Sequence, residues 1–260
     1  MSVSSVTNSL PLWALYLLSL GIIFGSLEVG WRLGNHRRQR FDEQRLTPVT
    51  AAVGSTLGLL AFLLAFTFGM AATRFDNRKQ VVIQEADAIG TTYLRADFLP
   101  EQFRGEAQDL LRKYAVLRSG GMSAIMSPEG RVKTEDLHAR LWAIAATAKA
   151  TSDTVLTGLF VQSLNETIDL DTVRVAANRN QIPDSIWFML GVVTVLSMVA
   201  VGYEFGLTGT RNWAVTILLA VVFTTVIVLI ADLDQPQTGF LRVSQQPLID
   251  LIQSIGTPVP

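Results

Sequence analysis

The sequence predicts an all-α, polytopic membrane protein, with four transmembrane helices in two pairs flanking a helical extramembrane domain. Three features predict it. Of its 260 residues, 49% are apolar and only 17% charged, where a soluble domain carries roughly a quarter charged residues, and its mean hydropathy is +0.35. Four uncharged runs approach or exceed the roughly 20 residues that cross a bilayer. Between the second and third runs lies a polar stretch whose apolar residues recur at helical spacing, with no alternating strand pattern.

The first span covers residues 11–31, and Leu12–Leu27 is free of charge. Met1–Pro11 holds no Lys or Arg and the apolar run is long, so a cleavable signal peptide is not expected. The second span, residues 49–73, is uncharged throughout and is predicted to continue as one long helix to about residue 99, because no proline interrupts the 51 residues between Pro48 and Pro100. Such a helix would measure about 75 Å, more than twice the hydrocarbon thickness. The extramembrane domain, 74–183, holds 14 basic and 14 acidic residues and is electrically neutral. Its first helix begins at Pro100, carries Phe103, Ala107, Leu110, Leu111, Tyr114 and Leu117 on one face, and stops at Ser119-Gly120-Gly121. A second is predicted from near Thr134, with Leu137, Leu141, Ile144 and Ala148 inward. A third covers about 153–177, with Leu156, Phe160, Leu164 and Ile168 on one side. The third span is 184–205, the fourth 212–232, and the rest, 233–260, a tail. Trp13, Trp31, Trp187 and Trp213 stand at span ends, where interfacial anchors belong.

Charge and composition exclude several functions. A net charge of −1 argues against a nucleic-acid binder relying on overall basicity. The absence of cysteine removes disulfides, thiolate metal sites and cysteine nucleophiles. With only His36 and His138 present, a three-histidine metal site is impossible. His138 falls in Glu135-Asp136-Leu137-His138-Ala139-Arg140, which reads as the solvated face of a helix. No Walker loop, nucleophile elbow, HExxH or dinucleotide turn occurs. No enzyme activity and no cofactor are expected.

The second span carries the most information. Gly54, Gly58, Ala61, Ala65, Gly69 and Ala72 form a stripe of small residues on one face, suited to close helix packing. Two readings are open: a seam inside the chain, or packing against copies of the same helix around an axis. A second face offers Phe62 and Phe66, one turn apart. Glu28 and Glu204 lie near span ends and are expected at the interface, Glu28 within reach of Arg32. No charge lies at the centre of a span, which argues against a proton relay. The loop after the first span holds Arg32, Arg37, Arg38, Arg40 and Arg45 against Asp42 and Glu43. By the positive-inside rule that loop is cytoplasmic and the helical domain external. Arg74, Arg78, Lys79, Arg174 and Arg179 on the other side nearly balance it, with Arg211 adding to the loop's side.

The run from Leu60 to Phe66 followed by Arg74-Phe75-Asp76-Asn77-Arg78, the stretch Glu85–Ala96, and Gly239-Phe240-Leu241-Arg242-Val243-Ser244-Gln245-Gln246-Pro247-Leu248 resemble the bacterial bestrophin-like family of membrane proteins. A more distant likeness extends to the bestrophin anion channels. The resemblance implies a bestrophin-like fold in a bacterial plasma membrane, a homo-oligomer with a pentamer favoured, small anions as the permeant species, and the second span lining a pore. The neck positions of bestrophins fall here on Phe66 and Phe62, while the third falls on Gly58 and departs from the pattern. Asp232 and Asp234, followed by Pro236, stand where some bestrophins bind calcium. Two carboxylates are too few for a calcium shell, and solvated charges ending a span are the preferred reading. The resemblance also implies a cytoplasmic helical domain, against the charge count, and both orientations stay open. The alternative to a channel is a non-conducting membrane module whose helical domain senses or binds a partner.

Overall fold

The computed structural model describes residues 10–38, 46–209, 212–235 and 239–256. Gln39, Arg40, Asp42, Glu43 and Arg45 of the basic loop, with Arg211 and Pro236, lie outside the described residues. Among the described residues every regular element is helical: α1 (Leu12–Arg37), α2 (Leu46–Arg95), α3 (Glu101–Ser119), α4 (Gly121–Met126), α5 (Pro128–Thr151), α6 (Val155–Arg179), α7 (Asp184–Thr208), α8 (Trp213–Asp234) and α9 (Gln246–Gly256). Four of these helical stretches are long and apolar enough to cross a membrane.

The chain divides into two compact units. Unit 1 comprises residues 1–74 and 181–241, and unit 2 comprises 75–180 and 242–260. In unit 1, α1 packs along α7 and also against α8. Helix α2 presents Val53, Leu60, Leu64, Thr67 and Ala71 to the interior, a spacing of 7, 4, 3 and 4 that keeps one face inward. That face is tied to α7 by Thr50 Oγ1 donating to Glu204 at 2.6 Å and by Ser197 Oγ donating to the Thr56 carbonyl at 3.4 Å. Glu28 does pair with Arg32, at 2.8 Å. Trp13 and Trp213 are exposed as anchors should be, whereas Trp187 is buried.

Unit 2 is a helical bundle around one core. Its centre holds Ile89, Ala96, Leu110, Leu111, Tyr114, Leu141, Phe160 and Leu164. The predicted stripe on α3 is inward, with Phe103 and Leu117 at its edge. Three expectations need correction. Helix α5 starts at Pro128 rather than near Thr134, because Ser127 Oγ accepts from Gly130 N–H at 3.0 Å and Pro128 supplies the first turn. Leu156 is exposed, lying on the first turn of α6, before that helix meets the core at Phe160. The tail is not featureless: α9 puts Leu248 and Ile255 into the core of unit 2. Arg112 of α3 closes its end, donating through Nε and Nη2 to the Ile255 carbonyl at 3.2 and 2.8 Å, which suits a cation at a helix C-terminus.

His138 is also corrected. It is half-buried, not solvated, and its ring lies 5.0 Å from that of Tyr114. Burial lowers its proton affinity below the usual 6.5, Asp171 pulls the other way, and Arg118 adds to the lowering. As pH falls, the unfolded chain therefore takes up this proton before the folded one. The stability tied to His138 is complete above about 6.5 and is lost as pH drops through the lowered folded value. His138→Phe keeps an aromatic ring without a titrating nitrogen. Its melting temperature should fall less than the parent's between about pH 7.5 and about pH 5. Equal losses would remove His138 from the acid sensitivity of unit 2.

Candidate functional site

On α2 the residues opposite the buried face are open. Phe62 is 67% and Phe66 60% exposed, one turn apart on the same side. The small-residue stripe lies beside them. A side chain placed at Gly54, Gly58 or Gly69 would meet no atom within 4 Å, and Ala61 and Ala65 are exposed too. Among the described residues none packs closely on those three glycines, which leaves the reading of the stripe as a seam inside the chain without support at these positions. The phenyl rings likewise pack against no other span of the chain closely enough to be buried. Ala72 stands at the edge of this face, half-buried.

The close seam lies elsewhere. Gly30 and Gly34 on α1 face Gly202 and Gly206 on α7, and each pair has the small-xxx-small spacing. A Cβ on Gly30 would overlap the Val199 carbonyl oxygen. One on Gly34 would overlap that of Tyr203, one on Gly202 that of Leu27, and one on Gly206 that of Trp31. These are backbone atoms that have no rotamer to move away. In the sequence this pair of motifs is masked by the longer stripe of small residues on the second span. The matching four-residue spacing at 30/34 and 202/206 was the signal that could have found it.

Asp232 and Asp234 end α8 and are each only 5% exposed, so the reading of solvated charges is corrected. Asp232 accepts from the backbone N–H of Phe240 at 2.7 Å and of Leu241 at 3.3 Å. Gly239 lets that turn close, because a Cβ there would overlap Asp232 Oδ1. Asp234 accepts from Ile182 N–H through both oxygens, at 2.9 and 3.2 Å. The two carboxylates thus bind backbone donors that flank α7 and α8. Among the described residues no group of three or more His, Cys, Asp or Glu is placed to hold a metal ion.

Unit 2 contains a buried charge network that the sequence did not reveal. Glu85 of α2 and Arg118 of α3 are wholly buried, and Arg174 of α6 is 1% exposed. Arg118 Nε donates to Glu85 Oε1 at 2.5 Å and Nη1 to Asp171 at 2.5 Å. Arg174 donates to the other oxygen of Glu85 and, through Nη2, to Gln245 Oε1 at 2.5 Å. Two carboxylates thus balance two guanidiniums. Burial alone would lower Arg118, yet the carboxylates of Glu85 and Asp171 hold it above the ordinary arginine value. Arg174 is lowered by burial, with Glu85 opposing and Arg118 adding to the effect. Burial pushes the Tyr114 phenol far up, so it stays neutral. Arginine keeps its proton in proteins, and the network is ionic throughout. It joins three helices and the segment before α9.

A family model described as Bestrophin-like domain matches residues 18–248. Among solved structures, the crystal structure of a variant of a bacterial bestrophin homolog from Klebsiella pneumoniae is similar over 93% of this chain and 94% of that one, with a TM-score of 0.59 and 16% identity. No curated protein matches the chain.

Proposed function

The chain belongs to the bestrophin-like family, and on that premise we propose that it works as a homo-oligomeric ion channel for small anions, with α2 lining the pore. The observation that carries this reading is the open face of α2, where among the described residues no atom would lie within 4 Å of a side chain placed at three glycines, and Phe62 and Phe66 are exposed beside them. Small residues expose backbone that gains close van der Waals contact only against another helix. Copies of α2 around an axis, a pentamer by preference, would supply that contact. The phenyl pairs would then repeat as two stacked apolar collars, where an ion must shed water without polar replacement. The bilayer is the solvent of this assembly, and nucleic acid has no part in it.

Two substitutions test assembly and gate separately. Gly58→Leu should leave the protomer folded, because its Cβ enters open space, and should break the oligomer by blocking close approach. Native mass spectrometry that finds the parent protein as a monomer would remove the axial pore. Phe62→Ala with Phe66→Ala should widen and wet the passage and raise anion flux in proteoliposomes above the parent's. Background-level flux from a correctly assembled double variant would discard the gate.

A further inference from the structure

At one end of unit 1, the ends of α1 and α7 and the start of α8 leave a cleft between them. Phe24 and Trp31 line it from α1, Phe205 from α7, and Trp213 with Thr216 from α8. Glu28 is its carboxylate, and that side chain is about one third exposed. Gly202 forms part of the wall, where the backbone of α7 meets that of α1. Four aromatic side chains and one carboxylate line the cleft, and both kinds of group attract cations, the rings through their faces. Arg32 lies at the rim, bound to Glu28 at 2.8 Å and 74% exposed.

Size narrows the occupant further. The cleft holds about 20 Å³ of room for the centre of a water-sized group, and one such group needs about 10–15 Å³. A primary ammonium is water-sized; a trimethylammonium group is not. The cleft lies between three helices long and apolar enough to cross a membrane, and its lining includes Trp31 and Trp213, a residue type that anchors spans at headgroup depth. Arg32, one turn beyond Glu28, offers a fork of donors that suits a phosphate.

We propose that this cleft binds a phospholipid with a primary ammonium headgroup, the ammonium held by Glu28 among the rings of Trp31, Phe205 and Trp213, and the lipid phosphate at Arg32. The arrangement reads the dipole of a zwitterionic headgroup: negative lining inside, positive rim outside. It is independent of whether α2 conducts.

The test uses the full-length protein in detergent, offered equal amounts of phosphatidylethanolamine, phosphatidylcholine and phosphatidylglycerol, with retained lipid counted by native mass spectrometry. The parent should retain phosphatidylethanolamine roughly tenfold over either of the others, the scale of one charge-stabilised contact. Glu28→Gln, and separately Trp213→Leu at a half-exposed position, should each erase that preference. Trp213→Leu keeps the test decisive if Glu28→Gln does not fold. Equal retention of phosphatidylcholine would show that no size-selective ammonium site exists. Preference for phosphatidylglycerol would reduce the site to Arg32 alone, and an unchanged preference in a folded Glu28→Gln or Trp213→Leu variant would overturn the proposal.

Discussion

Glu85→Ala is expected to cost unit 2 about 3–5 kcal/mol, the penalty for removing one partner from a buried ion pair. Glu85 is the carboxylate that Arg118 and Arg174 share, and all three are out of solvent. After the substitution Arg118 keeps Asp171 and Arg174 keeps Gln245. Two positive charges then lie together in the core against one partly exposed carboxylate. A loss of that size is comparable to the whole stability of many domains, so the variant should accumulate as a protease-sensitive chain in the membrane fraction. Limited proteolysis, with cleavage sites mapped by mass spectrometry, reads this directly. Cuts confined to unit 2 are expected. Replacing Glu85, Arg118, Arg174 and Asp171 together by apolar residues of similar volume should recover much of the loss, because no member of the network is then left as an unpaired charge. A protease-resistant Glu85→Ala variant would show that the network contributes little.

The second large effect is expected at the glycine seam of unit 1. Gly202→Val places a Cβ onto the Leu27 carbonyl oxygen, and Gly34→Val one onto that of Tyr203. Overpacking a core with extra methylenes costs about 1–3 kcal/mol when side chains can adjust. Here the obstacle is backbone, so α1 and α7 must separate along their whole contact, and the cost should exceed that range. Gly21→Val and Gly25→Val on the same helix meet no atom within 4 Å and serve as controls for valine itself. Melting in detergent followed by tryptophan fluorescence should show a large fall for the first pair and little change for the controls. Similar behaviour of all four variants would deny the seam its role.

Length and hydropathy made the helical fold readable. Four uncharged runs and a proline-free stretch point to four long apolar helices, because bilayer thickness and helix rise leave little freedom, although α1 continues to Arg37, six residues past the apolar run. Periodicity also located the inner faces of α3 and α5, down to Leu110, Tyr114 and Leu141. What failed depended on neighbours far along the chain. Gly54 and Gly202 look alike in sequence, yet only Gly202 meets another backbone. His138 lies among charged residues and still rests against Tyr114. Glu85, Arg118 and Arg174 are each ordinary charged residues in a helical pattern, separated by 33 and 56 positions. Nothing local marks them as a buried cluster. Asp232 and Asp234 looked like the polar end of a span because their partners, Phe240 and Ile182, are backbone N–H groups that no side-chain pattern reports.

The placement of α9 fixes the order in which the protein is completed during translation. A ribosome delivers α3 to α6 first, then both later spans, and only afterwards Leu248 and Ile255. Until then the bundle lacks one wall, and Arg112 waits for the Ile255 carbonyl that it binds. The core of unit 2 therefore closes only after α9 has emerged. A message interrupted after α8 would yield a chain that carries α1, α2, α7 and α8 yet leaves Leu251's place beside Gly90 unfilled. Its spans can reach the bilayer while the apolar core of unit 2 stays open on one side.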